Sequence, residues 1–478
     1  MSLRVYDPIR KQKTEFKPQV DGKVGMYFCG MTVQGEPHVG HMLAALTGDM
    51  VRRFLEYLGY EVTLAQNFTD IDDKILARAA EEGVPYQTIA QRNIDLYLEQ
   101  ARALNIKDAT VFPRATEHIP EMLSLIGRLI EQGHAYDAAD AVYFDVRSYS
   151  DYGRLSGRRV DELYSGVRVE VSEGKRDELD FALWKKAPAD EPGFDSPWGW
   201  GRPGWHIECS AMSTRYCGTT LDIHGGGLDL KFPHHENERA QSEAASGQPF
   251  VNYWLHNGMV TVNGEKMSKS LGNYTSVAEL LETWDPEVIR FYLLSTHFRS
   301  RAEFETSQLE RARAGLERIR ECSLGLHERL AAAPEQLEAR APVGEALVAA
   351  AARAQERWRE AMEDDFNSGG AIGHIFELVR EFNRLADEDD PGLRADRRAL
   401  EAARDALALM TGVLGLFKEG LPTRRELAVT PELEGLLAQR NAARAAKDWA
   451  EADRLRDAIQ DQGFQVLDGP EGSQLRPL

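Results

Sequence analysis

Between Gly25 and Gln66 the chain runs strand, loop, helix, strand, and that order narrows the possible folds more than any other stretch. Gly25–Cys29 is short and largely apolar, as a buried strand requires. Leu43, Leu46, Met50, Phe54 and Leu58 then recur at spacings of three and four, which places them on one face of a helix. Gly59 closes that helix, and Glu61–Gln66 reads as the next strand. A βαβ unit of this kind predicts a parallel sheet. The loop ahead of the helix ends in His38-Val39-Gly40-His41, so both histidines fall at a helix N-terminus, where free amides and the dipole favour phosphate.

Downstream the pattern changes. From about Pro113 to Trp200, hairpin-like segments such as Ala141–Arg147 and loops rich in Gly and Pro predict an insertion into the sheet domain. The sheet resumes at Thr220–Ile223, followed by His224-Gly225-Gly226-Gly227 and a helix beginning near Pro233. From Ser307-Gln308-Leu309-Glu310, which reads as a capping box, to Phe417 the pattern is almost wholly helical. Lys418–Pro431 reads as a linker. Two short helices then meet around Lys447-Asp448-Trp449, and a small hairpin turns at Gly469 and Pro470. The expected fold is α/β: a parallel-sheet domain over 1–275 with its insertion at about 113–200, a helical domain over 276–418, and a linker with a small α+β module over 419–478.

Composition excludes several classes. At 478 residues the chain is too long for one core, and 42% hydrophobic with 28% charged residues is ordinary for a soluble globular protein. No window approaches the roughly 20 apolar residues of a membrane span, and no secretory signal is visible. Four cysteines (Cys29, Cys209, Cys217, Cys322), with no CxxC pair, predict reduced thiols and a cytoplasmic protein. Cys217 and Cys322 are assigned to structure. A net charge of −20 opposes nucleic-acid binding in bulk, but placement decides. From Arg440 onward six basic residues (Arg440, Arg444, Lys447, Arg454, Arg456, Arg476) nearly balance seven acidic ones, which permits RNA contact there.

The chemistry lies in scattered residues. Lys266-Met267-Ser268-Lys269-Ser270 sits on a Gly-flanked stretch far downstream of the histidine motif; a chance match to such a string is on the order of one in several thousand. Attack on the α-phosphorus of ATP builds charge on phosphate oxygens, and fixed imidazoles and ammonium groups stabilise it. His234 and Glu238 are four apart and share a helix face, so they can chelate one ion; His235 with Glu238 also fits, and so does a solvated first turn with no ion at all. Cys29, alone, is a buried strand thiol, yet it ends a strand at the sheet's carboxyl edge, where open α/β sheets bind ligands. Cys209, in Gly204-Trp205-His206-Ile207-Glu208-Cys209, is equally ambiguous alone. A phosphate site and a thiol-friendly metal site in one pocket point to ATP-dependent activation of a sulfur-containing substrate.

Over essentially its full length the chain resembles the cysteinyl-tRNA synthetase family. The segments that carry the resemblance are Tyr27–Gly30, His38–His41, Asn67–Lys74, Gly204–Met212, Asp222–Glu238 and Lys266–Asn273. It implies a Rossmann-type class I catalytic domain with an insertion, a helical bundle and a C-terminal anticodon-binding module. It implies one zinc per chain on Cys29, Cys209, His234 and Glu238, and an ATP site of His38, Gly40, His41, Lys266, Ser268 and Lys269, with His38, His41, Lys266 and Lys269 catalytic and Mg²⁺ escorting the phosphates. Thr69, Trp205 and Asp229 are candidate substrate contacts: Trp205 as a lid or as packing, Asp229 toward ribose or the amino group or as a helix cap. The implied reaction makes cysteinyl-adenylate from L-cysteine and ATP, then transfers the cysteinyl group to tRNA(Cys); the protein is expected to be a monomer, free of membranes. An apolar pocket separates near-isosteres such as cysteine and serine by only about 10²-fold or less, whereas zinc takes thiolate as a ligand and so discriminates without editing. Two departures from the family pattern stand out: Gln34-Gly35-Glu36-Pro37 replaces the usual Tyr-Asp after the valine, and Leu475 stands where an aromatic is common. Rival readings are a cysteine ligase acting on an amino-sugar acceptor and a catalytically silent zinc- and nucleotide-binding paralogue.

Overall fold

The structure, a computed structural model, describes residues 2–159, 174–262, 265–266, 276–334, 342–387, 393, 396–423, 431–461, 464–469 and 472–477. It divides into two compact units: 1–316 with 353–377 and 409–418, and 317–352 with 378–408 and 419–478.

The first unit is built on a sheet. A hairpin of β1 (Arg4–Asp7) and β2 (Gln12–Glu15) precedes β3 (Lys23–Phe28), helix α1 (Val39–Tyr57) and β4 (Glu61–Gln66). Both β3 and β4 are exposed at their first residue and buried over their last three, as expected of parallel strands covered on both faces. α1 buries Met42, Leu43, Leu46, Met50, Phe54 and Leu55 and packs on the sheet, so the periodicity translates directly into its inner face. Helices α2 (Asp73–Glu82), α3 (Tyr86–Ala103) and α4 (Ile119–Glu131) follow. The insertion forms an antiparallel sheet of β5 (Ala135–Asp137), β6 (Ala141–Phe144), β7 (Phe181–Lys186) and β8 (Gly201–Pro203), in that order.

After it come α5 (Trp205–Cys217), β9 (Leu221–Gly227), α6 (His234–Ser246) and β10 (Val251–Asn257). The parallel sheet has the order β10-β9-β3-β4. From β3 the chain winds outward to β4, and from β9 outward to β10. The carboxyl ends of β3 and β9 are thus a topological switch point, where such sheets hold ligands. Tyr27, Ile207, Met212, Leu221, Ala240 and Trp254 share the core around it.

Beyond the sheet, β11 (Val260–Val262) pairs with β12 (Glu265–Lys266) and with β13 (Ala302–Glu303), and α7 (Val277–Thr283) and α8 (Pro286–Leu294) lie between β12 and β13 in sequence. Four long helices follow, α9 (Thr306–Ala332), α10 (Pro342–Glu363), α11 (Ser368–Asp387) and α12 (Arg397–Val413). α9 starts one residue before the expected cap: Ser307 lies inside the helix and its hydroxyl turns back to Glu305, so the Ser-x-x-Glu pattern is not a capping box here.

A buried ion pair ties α1 to α8. Arg290 is fully buried; it meets Asp49 at 2.6 Å and donates to the carbonyls of Leu104, Asn105 and Leu414. Arg53 meets the same carboxylate at 2.9 Å. Together they hold the Asp49 carboxyl below its ordinary value, against the upward push of burial.

In the second unit, α13 (Pro431–Ala445) and α14 (Trp449–Asp461) pack with the hairpin of β14 (Phe464–Gly469) and β15 (Gly472–Pro477) around Leu433, Ile459 and Phe464. Lys447, at φ 62°, ends α13, and Asp448 caps α14 through the amide of Glu451. Leu475 is partly buried against that small core. No described helix is long and apolar enough to cross a membrane.

Candidate active site

The four residues implied as metal ligands come from three places. Cys29 follows β3, its amide bonded to the carbonyl of Gly225 on β9 at 3.0 Å. Cys209 is on α5; His234 and Glu238 are one turn apart on α6. Their ligand atoms all lie within 4.8 Å of one another, in buried positions. The Sγ atoms of Cys29 and Cys209 are 3.7 Å apart, Cys29 Sγ is 3.5 Å from Glu238 Oε1, and His234 Nε2 is 3.0 Å from the same oxygen. Tetrahedral zinc with ordinary bond lengths separates two sulfurs by about 3.7 Å, sulfur and oxygen by about 3.5 Å, and nitrogen and oxygen by about 3.3 Å. Donor types and spacings therefore fit zinc.

Charge fits as well. Burial pushes the Cys209 thiol up, but the hydrogen bond from Cys29 and the attraction of His234 bring it down to about 6. Burial acts against both His234 and Glu238 in their charged forms, yet Glu238 and Cys209 lift His234 to about 10, and His224 and His234 hold Glu238 well below the carboxylate range. Burial, then the neighbouring Cys209 and Glu238, push the Cys29 thiol well up.

α6 begins His-His-Glu-Asn-Glu-Arg, and all six residues are buried rather than forming the solvated turn that this composition also allows. So polar a buried helix needs partners for its side chains. The segment 151–156 supplies them: the amide of Ser156 donates to Glu236 at 2.7 Å, and the hydroxyl of Tyr152 donates to Asn237. His235 has its Nδ1 2.9 Å from His256 Nε2 and its Nε2 3.9 Å from Glu238. Cys29, His224, His235 and Glu238 form a second compact set, with one sulfur instead of two.

At the start of α1 the two motif histidines form a reciprocal capping box. His38 Nδ1 accepts from the amide of His41 at 3.3 Å, and His41 Nδ1 accepts from the amide of His38 at 3.1 Å. The rings stack at 3.7 Å. Because each Nδ1 is an acceptor, each neutral ring carries its proton on Nε2 and offers it away from the helix. Burial, then the neighbouring His38, holds His41 well below its ordinary value, so it is neutral. Gly40 leaves room for this stack: a Cβ there would stand 2.9 Å from His38 Cε1, and the ring would have to shift.

Lys266 lies on β12, opposite Thr261. Met267–Asn273, with Ser268 and Lys269, lie outside the described residues. Ser276, where the described chain resumes, bridges to His38 as in an antiparallel sheet, so the residue that follows this stretch lies beside the first signature.

Thr69 is buried and its hydroxyl donates to Glu208 at 2.6 Å. Burial pushes the Glu208 carboxyl well up, with Thr69 pulling the other way. Trp205, 39% exposed at the first position of α5, lies over His234 with ring centroids 4.2 Å apart. Asp229 is exposed on the short turn Leu228–Lys231 just past β9.

Nothing in the sequence marks three further residues of this pocket. Asn67 accepts through Oδ1 from the amide of Gly30 at 3.0 Å and stands 3.7 Å from Cys209 Sγ. His206 Nδ1 is 2.9 Å from His234 Nδ1, and His224 Nε2 is 2.8 Å from Glu238 Oε2. The only advance signal was their presence in the motif segments.

Similarity to known proteins bears on the whole chain. Residues 15–314 match the family model for the class I (C) tRNA synthetase catalytic domain, 357–418 the DALR domain, and 428–476 the cysteinyl-tRNA ligase anticodon binding domain. Mycobacterium tuberculosis methionyl-tRNA synthetase in complex with methionyl-adenylate shares the fold at TM-score 0.66 and 18% identity, over 83% of this chain and 92% of that one. An Agrobacterium radiobacter LeuRS, in a ternary complex with tRNA and LeuAMS, does so at TM-score 0.63 and 13% identity, over 84% and 85%. The parallel sheet split at β3 and β9, the His38–His41 motif at its carboxyl edge and the helical domains that follow in sequence are those of a class I aminoacyl-tRNA synthetase. Cysteine–tRNA ligases of Geobacter metallireducens and Heliobacterium modesticaldum are 49% and 47% identical to this chain, over 99% of both chains in each case. The chain belongs to the cysteine–tRNA ligase family.

Proposed function

We propose that this protein activates L-cysteine with ATP to cysteinyl-adenylate, releasing pyrophosphate, and transfers the cysteinyl group to the 3′ end of tRNA(Cys). The observation that carries the reading is the cluster of Cys29, Cys209, His234 and Glu238 at the switch point of a sheet whose edge also holds the His38–His41 signature. Zinc held by these four residues would ligate and deprotonate the substrate thiol, which a serine hydroxyl matches poorly. Trp205 lies over His234 and closes the side-chain pocket. Thr69 and Asp229 line the way to the amino group and ribose.

His38 and His41 turn their Nε2–H groups toward the phosphates, and the free amides at the start of α1 add to the field. Lys266, Ser268 and Lys269 belong to the second ATP-binding signature, and Mg²⁺ bound with ATP would offset the phosphate charge. Residues 1–275 form the catalytic domain, 276–418 the helical domain and 419–478 the linker and anticodon module. The match of 428–476 to an anticodon-binding family leaves an amino-sugar acceptor without support.

Purified protein incubated with labelled cysteine, ATP and deacylated total tRNA tests the proposal. ATP-dependent, acid-precipitable label that excess serine does not dilute is the expected result. Cysteine-dependent ATP–pyrophosphate exchange with no label on RNA would overturn the tRNA step, and neither signal would overturn the activation step.

A further inference from the structure

Glu238 divides its two oxygens. Oε1 faces the cluster, 3.5 Å from Cys29 Sγ and 3.0 Å from His234 Nε2. Oε2 faces the other way, 2.8 Å from His224 Nε2. An ionised carboxylate only accepts, so the proton of this hydrogen bond is on His224 Nε2.

His224 is placed rigidly. It sits in the middle of β9, paired across the sheet with Tyr27 on β3 and Trp254 on β10. Its ring stacks on Trp254 at 4.9 Å and meets the edge of Tyr27 at 5.3 Å, and it is fully buried. Among the described residues its Nδ1 has no hydrogen-bond partner, so the bond to Glu238 is the ring's one hydrogen bond, with the His235 ring packed beside it at 4.6 Å. Burying an imidazole in a central strand costs desolvation, and an aliphatic residue would fill the same space without that cost. The imidazole is there for the carboxylate.

We propose that His224 is a positioning residue that keeps Glu238 a one-oxygen ligand of the metal, and thereby leaves a coordination position for the sulfur of the substrate. A carboxylate chelates through one oxygen or two, and one that swings both oxygens onto the ion occupies an additional position. With Oε2 held by the imidazole, that swing is blocked. Partners of this kind, which orient a ligand without touching the metal, typically account for 10–100-fold in affinity or activity. This inference rests on the zinc and cysteine reading given above.

The test uses the full-length protein loaded with Co²⁺ in place of zinc, whose visible spectrum reports coordination number: strong bands for four ligands, weaker ones for five. Wild-type protein, His224→Leu and His224→Gln are compared for cobalt per chain, for spectrum, and for the spectral change on titration with cysteine. Glutamine can present an N–H near the position of imidazole Nε2; leucine cannot. The expected result is one cobalt per chain in all three. Wild type and His224→Gln should give four-coordinate spectra that respond to cysteine. His224→Leu should give weakened bands before any cysteine is added and bind cysteine about 10–100-fold more weakly.

Wild-type spectrum and cysteine affinity in His224→Leu would overturn the proposal. If His224→Leu does not fold, His224→Gln decides alone: a weakened spectrum in a folded His224→Gln protein would overturn it, and a wild-type one would support it. Wild-type protein that takes up no cobalt, or whose cobalt spectrum ignores cysteine, fails the metal reading itself, and this proposal with it.

Discussion

Replacing Asp49 by asparagine keeps the shape of the side chain and removes a charge on which two guanidinium groups converge. Arg290 is fully buried and Arg53 nearly so, and both lie within 2.9 Å of the Asp49 carboxylate. Arg290 keeps its bonds to the carbonyls of Leu104, Asn105 and Leu414, so hydrogen bonding is largely preserved while the charge is orphaned. Removing one partner of a buried pair costs about 3–5 kcal/mol, a large fraction of the roughly 5–15 kcal/mol that holds a domain together. Urea unfolding followed by tryptophan fluorescence should show the first transition at clearly lower denaturant in Asp49→Asn than in wild type at pH 7. The pH dependence has a definite sign. The folded Asp49 carboxyl titrates below its ordinary 3.8, so its contribution is complete above that value and is lost as pH falls through the lower, folded one. The gap between variant and wild type should therefore persist from neutrality to about pH 4 and close below it. Equal midpoints at pH 7 would refute the view that this pair anchors α1 to α8.

Other perturbations act closer to the chemistry. Cys209→Ser should lower bound zinc, by elemental analysis, and abolish the preference for cysteine over serine; full occupancy would remove Cys209 from the ligand set. Gly40→Ala pushes a methyl group to 2.9 Å from His38 Cε1 and should unstack the two histidines, raising the KM for ATP in pyrophosphate exchange about tenfold, or about 1.4 kcal/mol. In Gly30→Ala the new Cβ would fall 1.6 Å from the carbonyl oxygen of Asn67, a backbone atom with nowhere to go. That variant should be insoluble or lose cysteine activation altogether, and wild-type kinetics would show that the strand ends can part.

Much of this molecule was legible because periodicity is local. Leu43 to Leu58 and Glu61–Gln66 became α1 and β4 almost to the residue, since burial of one helix face and of a whole strand leaves a mark every few positions. Ser307 shows the limit of that reading: a Ser-x-x-Glu pattern can also fall inside a helix, and here the helix starts at Thr306. The site was legible in part. Cys29, Cys209 and the His234 run are each ambiguous alone and acquired a common meaning only from the resemblance and from the sheet's carboxyl edge. Asn67 and His224 stayed silent because their roles depend on approach in space, Asn67 to Gly30 and His224 to an oxygen on another element. Leu475, where an aromatic is common in the family, packs partly buried against the core of the small terminal module.

The cluster's members enter the chain in a lopsided order: Cys29 comes early, and the remaining three arrive together only after the whole insertion has been made. During synthesis a fragment that ends within the insertion therefore carries one thiol of the set and no chelate. Only when α5 has docked beside β3 do the two thiols face each other, so a metal held by all four residues would be taken up only after the chain has passed Glu238.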